Sequence, residues 1–155
     1  MSGFPGLETG VDGAAVFLPD SCRETLQGIR DLGAETLTLL IEDDELDEIF
    51  YSEVERIADE VNLGIERFPI VDFAVPSDGA ATEWLERAQE RARRRSAGAT
   101  TAFACQYGAG RSGLMASWLL IEGGMSPAEA ISLVRSHFSD AVESEAQETW
   151  LQGLN

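Results

Sequence analysis

The run Cys105-Gln106-Tyr107-Gly108-Ala109-Gly110-Arg111-Ser112-Gly113 constrains this chain most, because of what stands on either side of it. Thr101 to Ala104 reads as a buried strand, and beyond Arg111 the residues Leu114, Trp118, Leu119 and Ile121 fall at helical spacing. A strand ending at a cysteine and a helix opening at an arginine leave only a few small residues to turn the chain. Glycines at 108 and 110 let that backbone curl until several N–H groups point inward, with the helix dipole behind them. A thiolate at Cys105 is stabilised by the same field. Arg111 adds a planar fork able to hold two oxygens of one anion, which a lysine's point charge does not reproduce. The loop is thus built for an oxyanion, with Gln106, Tyr107, Gly108, Ala109, Gly110 and Arg111 around it.

Strand and helix signals alternate along the rest of the chain. Ala14 to Leu18 reads as a first strand, and Ser21 to Glu24 as a capping box opening a helix that carries Leu26, Ile29 and Leu32 and stops at Gly33. Thr36 to Ile41 is a near-continuous apolar run, as in a parallel strand covered on both faces. Asp43 to Phe50 and Glu53 to Val61 read as helical, Ile65 to Phe68 as a short strand, and Ser77 to Arg95 as one helix with Trp84, Leu85 and Ala88 inward. Three helical segments follow the Cys105 loop, one opened by Ser126, Pro127 and Glu129. This alternation predicts a single-domain α/β fold, a mainly parallel central sheet of about four or five strands flanked by helices, with the loop outside the strands' carboxyl ends. Residues 1–12, rich in glycine and without periodicity, read as a loosely ordered leader to a domain over 13–155.

Composition narrows the partners. A net charge of −17 argues against nucleic acid and anionic membranes, whose phosphates would be repelled at long range, so any phosphate must be captured locally. All basic residues are arginine, which suits either a GC-rich genome or a high-salt proteome. No stretch approaches a membrane span, and the first residues lack a basic segment followed by an apolar one. Cys22 and Cys105 are too few for a disulfide framework and have no metal-ligand spacing. A soluble, cytoplasmic monomer without cofactor or metal is expected.

Upstream of the loop, Phe68-Pro69-Ile70-Val71-Asp72-Phe73-Ala74-Val75-Pro76-Ser77-Asp78 supplies a carboxylate in a proline-bounded segment. Together the two segments resemble the dual-specificity branch of the protein tyrosine phosphatase superfamily, most like the cyclin-dependent-kinase-associated phosphatase group. Pro69, Ile70, Asp72 and Pro76 match its Pro-Ile-x-Asp-x-x-x-Pro loop, and Cys105, Arg111 and Ser112 its Cys-x5-Arg-Ser loop. Ser126-Pro127-Ala128-Glu129-Ala130-Ile131, the closing Gln147 and Trp150-Leu151, and the Glu-rich turn within Leu39–Leu46 extend the likeness over about residues 14–152. One departure stands out. The family places histidine before the nucleophile, where this chain has Ala104; its only histidine is His137.

The resemblance implies a metal-independent phosphatase acting on phosphorylated protein side chains, with Cys105 as nucleophile and Arg111 as binder of the phosphoryl oxygens. Asp72 is the implied general acid, and Ser112 the donor to the departing thiolate. Asp78 competes with Asp72, though Ser77 and Asp78 also suit a helix cap. Gln147 resembles a family position near phosphate, but a glutamine on an amphipathic terminal helix is more often a solvated face residue. Cys22 reads as a helix-face residue or a redox partner of Cys105, His137 as a helix-end residue, and Arg93-Arg94-Arg95 as a solvated run. Ala104 removes one support for the ionised sulfur, so a more alkaline range of activity is expected, and a phosphate-recognising module with little turnover is the alternative. A sulfurtransferase or arsenate reductase would not need the Asp72 loop.

Overall fold

Residues 1–154 are described by the computed structural model, except for the side chains of Arg95 and Ser96. The Arg95 part of the arginine run and the expected domain end at Asn155 therefore lie outside the described residues. Strands β1 (Leu7–Thr9) and β2 (Ala15–Phe17) pair antiparallel, with Leu7 opposite Phe17. Their hairpin closes where Gly10 N donates to Ala14 O at 2.8 Å. Helix α1 (Pro19–Asp31) opens on a proline, whose missing N–H costs nothing in a first turn. Its N-cap is Leu18, which makes no side-chain cap, so the expected Ser21–Glu24 box does not open the helix.

Strand β3 (Ala34–Leu39) leads into a turn, and α2 (Glu48–Glu60) begins only after Asp47, whose carboxylate accepts from Ile49 N at 3.1 Å. That cap is why residues 43–47 are not helical, against expectation. Strand β4 (Gly64–Arg67) comes next, then α3 (Asp78–Glu86) and α4 (Ala88–Ser96), two helices where one was expected. The break falls at Arg87, whose N–H turns back to Trp84 O at 3.2 Å. Strand β5 (Thr100–Ala104) enters the loop, and α5 (Gly110–Glu122), α6 (Pro127–His137) and α7 (Glu145–Gln152) complete the chain. The Ser126–Glu129 capping box is formed in both directions.

Among the described residues the parallel sheet has three strands, in the order β4-β3-β5, rather than four or five. Ala14–Leu18 does not join it: β2 pairs with β1 instead and stays largely exposed, so it lacks the two-sided cover that a parallel strand needs. The chain moves from β3 outward to β4 through α2, then back past β3 to β5 through α3 and α4. Phe68, Trp84, Phe103, Trp118 and Trp150 form a run of ring contacts 4.8–6.0 Å apart linking the residue after β4 to α3, β5, α5 and α7. No helix among the described residues is long and apolar enough to cross a membrane.

The first residues are not loose. Phe4 is buried edge-on against Tyr51 at 5.4 Å, and Ser2 makes a parallel bridge to Ala104 with its N–H on Phe103 O at 2.9 Å. Burying one phenylalanine contributes about 1.5–3 kcal/mol, enough to hold a short segment down. Gly3 and Gly6 reflect close packing rather than freedom: a Cβ on Gly3 would sit 3.3 Å from Gln106 O, and one on Gly6 2.7 Å from Cys22 Cβ.

Candidate active site

Three strand ends converge on the loop. Leu40 N donates to Ala104 O at 2.8 Å, Phe68 N to Leu39 O at 2.9 Å and Ile70 N to Leu40 O at 2.9 Å. This lateral bonding brings three segments side by side: the Glu-rich turn after β3, the Asp72 loop after β4 and the Cys105 loop after β5.

Cys105 lies at the floor of its loop, 3% exposed, and its Sγ accepts from Gly108 N at 3.2 Å. Gly108 holds φ at +82°, a left-handed turn that aims this N–H inward. Helix α5 is entered through Ala109 without a side-chain cap, so its first N–H groups, which have no intrahelical acceptor, face the loop side. Tyr107 projects outward, 78% exposed.

Arg111 is 1% exposed. Its Nη2 donates to Glu45 Oε2 at 2.8 Å and its Nη1 to Glu45 Oε1, while Nη1 also reaches Ile70 O at 3.1 Å. Asp72 Oδ1 stands 3.4 Å from Nη2. Burial opposes the guanidinium charge, yet Glu45, with Asp72 and Cys105, holds Arg111 above its usual range. The arginine stays charged and oriented inside the protein. Glu45 itself is pinned by Glu42 N at 2.8 Å. It lies in the Glu-rich turn noted in the sequence, but nothing there distinguished it from Glu42, Asp43, Asp44 or Asp47.

A second residue absent from the sequence reading is Glu143. Its carboxylate lies so close over Gly110 that a Cβ there would overlap Oε1, so residue 110 has no room for a side chain beside it. Burial, then Asp72, push the Glu143 carboxyl up, against the pull of Arg111. Backbone strain frames both carboxylates: Phe73, just after Asp72, has φ +57°, and Val142, just before Glu143, has φ +56°. The two loops are tied by Ser144 Oγ donating to Phe73 O at 2.7 Å and Gln147 Nε2 to Ala74 O at 3.2 Å. Gln147 is fully buried rather than a solvated face residue.

A raised folded carboxyl means that the fold prefers Glu143 protonated. The stability linked to this group is present below the ordinary carboxylate range and is lost as pH rises through its folded value. Glu143→Gln is therefore expected to raise Tm at pH 7 by about 1–3 °C, with the difference vanishing below about pH 4. Thermal unfolding of both proteins across pH checks this; an equal or lower Tm for the variant at pH 7 would be the contrary result.

Other residues fall away from the loop or alongside it. Ser112 is fully buried, and its Oγ, like Arg111 Nε, has no partner among the described residues. Asp78 is the first residue of α3, capped by Ser77 Oγ accepting from Ala80 N at 3.3 Å. Cys22 is a free thiol in the core, pushed up to about 11 chiefly by burial, which leaves it little thiolate character. His137 is exposed in the last turn of α6. A cavity of about 420 Å³ is lined by Thr36, Thr38, Thr100 and Trp84 and includes no residue of the Cys105 loop.

No protein-family model and no curated protein matches the chain. Solved structures do. A kinase-associated phosphatase with serine in place of its catalytic-site cysteine superposes with TM-score 0.74 at 20% identity, over 96% of this chain and 80% of that one. The active form of Tk-PTP gives TM-score 0.65 at 26% identity over 97% of each chain. A protein tyrosine phosphatase of Leishmania major gives 0.66 at 19% identity, over 90% of this chain and 84% of that one. The fold is that of the protein tyrosine phosphatases. That is the fold which the likeness of its motifs implied.

Proposed function

We propose that this protein hydrolyses phosphate monoesters on protein side chains in two steps. The Cys105 thiolate attacks phosphorus, the P–O bond to the substrate breaks, and Asp72 gives its proton to the leaving oxygen. Asp72, now a carboxylate, then takes a proton from water as that water attacks the cysteinyl-phosphate, releasing inorganic phosphate and the thiolate. Arg111 and the amides of Gln106, Tyr107, Gly108, Ala109 and Gly110 hold the equatorial oxygens, whose charge is spread in a loose transition state. Ser112 donates to the departing sulfur. The observation that carries this reading is the buried Arg111, locked by Glu45 with Asp72 3.4 Å away, beside a cysteine that accepts from its own loop.

Protein substrates are favoured by the rim. Val71, Phe73 and Tyr107 are 56%, 58% and 78% exposed around the loop, an apolar edge on which a peptide or an aryl ring can rest. The protein acts as a monomer in a reducing, cytoplasmic setting where both cysteines stay thiols. The test is a panel of phosphotyrosine, phosphoserine and phosphothreonine peptides alongside p-nitrophenyl phosphate. Tight phosphopeptide binding without turnover would favour the recognition module that Ala104 suggests.

Asp72→Asn carries a finer prediction. It should lower kcat on phosphopeptides by about 10²–10³ and on p-nitrophenyl phosphate by much less, because nitrophenolate leaves without a proton. Equal losses on both substrates, or a deeper loss in Asp78→Ala, would move the acid elsewhere.

A further inference from the structure

We infer that residues 2–4 form a positioning strap for the phosphate loop, supplying from the backbone a support that Ala104, with no functional side chain, cannot. The inference rests on reading residues 105–111 as the oxyanion site. Ser2 continues β5's hydrogen bonding beyond the sheet, its N–H on Phe103 O at 2.9 Å and its bridge to Ala104, the residue just before the nucleophile. Phe4 N then donates to Gln106 O at 3.2 Å, inside the loop itself. Between these bonds the strap presses on the loop's sharpest turn. A Cβ on Gly108 would sit 2.5 Å from Ser2 C and 2.6 Å from Gly3 N, and one on Gly3 would sit 3.3 Å from Gln106 O. Gly108 is the residue whose N–H reaches Cys105 Sγ.

The strap is anchored by the Phe4 ring against Tyr51. Tyr51 Oη in turn donates to Glu42 O, in the turn that holds Glu45 against Arg111. One aromatic contact therefore joins the support beneath the sulfur to the support behind the guanidinium. A main-chain carbonyl fixed by a donor outside the loop cannot rotate, so the amide that follows it stays directed inward. Loss of the strap should leave the three-stranded sheet standing and loosen the anion nest.

The test compares Phe4→Ala and Ser2→Pro, which removes a single strap N–H, with Phe17→Ala. Phe17 stacks on Phe50 at 5.5 Å, outside the strap, and controls for lost aromatic burial. Readouts are the inorganic phosphate concentration that half-protects Cys105 from iodoacetamide, kcat and KM on p-nitrophenyl phosphate, and Tm. Both strap variants should need roughly ten- to a hundredfold more phosphate and lose kcat to a similar degree, with Phe4→Leu restoring most of both. Phe17→Ala should lower Tm and change neither. Wild-type protection in both strap variants, or equal losses in Phe17→Ala, overturns the inference. Ser2→Pro decides alone should Phe4→Ala not fold. If phosphate protects the wild type but nothing is turned over, the hydrolase reading fails while the strap is still tested; if phosphate gives no protection at any concentration, both fall.

Discussion

Cys105→Ser is expected to abolish hydrolysis of p-nitrophenyl phosphate, lowering kcat by at least about 10⁴-fold, the scale on which removal of a covalent nucleophile falls. A serine hydroxyl at this position stays protonated and is a far weaker nucleophile than a thiolate. Nothing else in the loop can replace the sulfur. The amides, Arg111 and Glu45 are untouched by the change, and the side chain differs by one atom at a floor position that is 3% exposed. Phosphopeptide binding should therefore survive within a fewfold. Loss of turnover with retained binding, together with recovery of phosphate on Cys105 after acid quenching of the wild type, fits the two-step route. Turnover that persists in the serine variant would end it. Loss of both binding and turnover would show instead that the sulfur shapes the loop.

The second large effect is expected at the Arg111–Glu45 pair. Arg111→Lys should cost about 10³-fold in kcat/KM, within the range for an arginine that stabilises phosphoryl transfer. An ammonium keeps the charge but cannot meet both Glu45 oxygens and two phosphoryl oxygens together. Glu45→Ala tests the same pair from the other side. Glu45 is mostly buried against an arginine that is 1% exposed, and removing one member of such a pair destabilises by roughly 3–5 kcal/mol because the other charge is left unpaired. Tm should fall accordingly, by about 6–20 °C. Inorganic phosphate should then raise Tm more in Glu45→Ala than in the wild type, since the anion takes over as the arginine's partner. A phosphate-independent Tm in Glu45→Ala would show that the guanidinium does not face the loop.

The parts of the site legible in the sequence are those whose geometry is local. Cys105 and Arg111 belong to one strand-turn-helix unit, and the positive φ of Gly108 is a property of the residue itself. Asp72 could be singled out from 28 acidic residues because two prolines bound its loop and the family likeness names its place. Glu45 could not. It lies 66 positions from Arg111, among several carboxylates that its own turn makes equivalent, and only the side-by-side bonding of β3 and β5 selects it. Glu143 was hidden for the same reason, since its contact with Gly110 depends on how residues 141–144, before α7, lie across the start of α5. Gln147 read as surface because helical periodicity says nothing about a neighbouring loop that covers the polar face.

Errors in the fold share that origin. Residues 1–12 looked unstructured because glycine carries no pattern, yet Phe4 supplies the one buried ring that holds the segment against Tyr51. The first strand expected over Ala14–Leu18 is extended backbone, but its partner is β1, across a short hairpin, and not the parallel sheet. Sequence alone determined the strand-turn-helix unit from Thr100 through Cys105 and Arg111, the helix caps at Ser77 and Ser126 and the alternation of strand and helix, because sterics and hydrogen bonds within a few residues decide them. Tertiary structure alone decided how many strands pair, which glutamate grips Arg111 and what lies beneath the loop. Those depend on which distant backbones come within bonding distance, and no local rule specifies that.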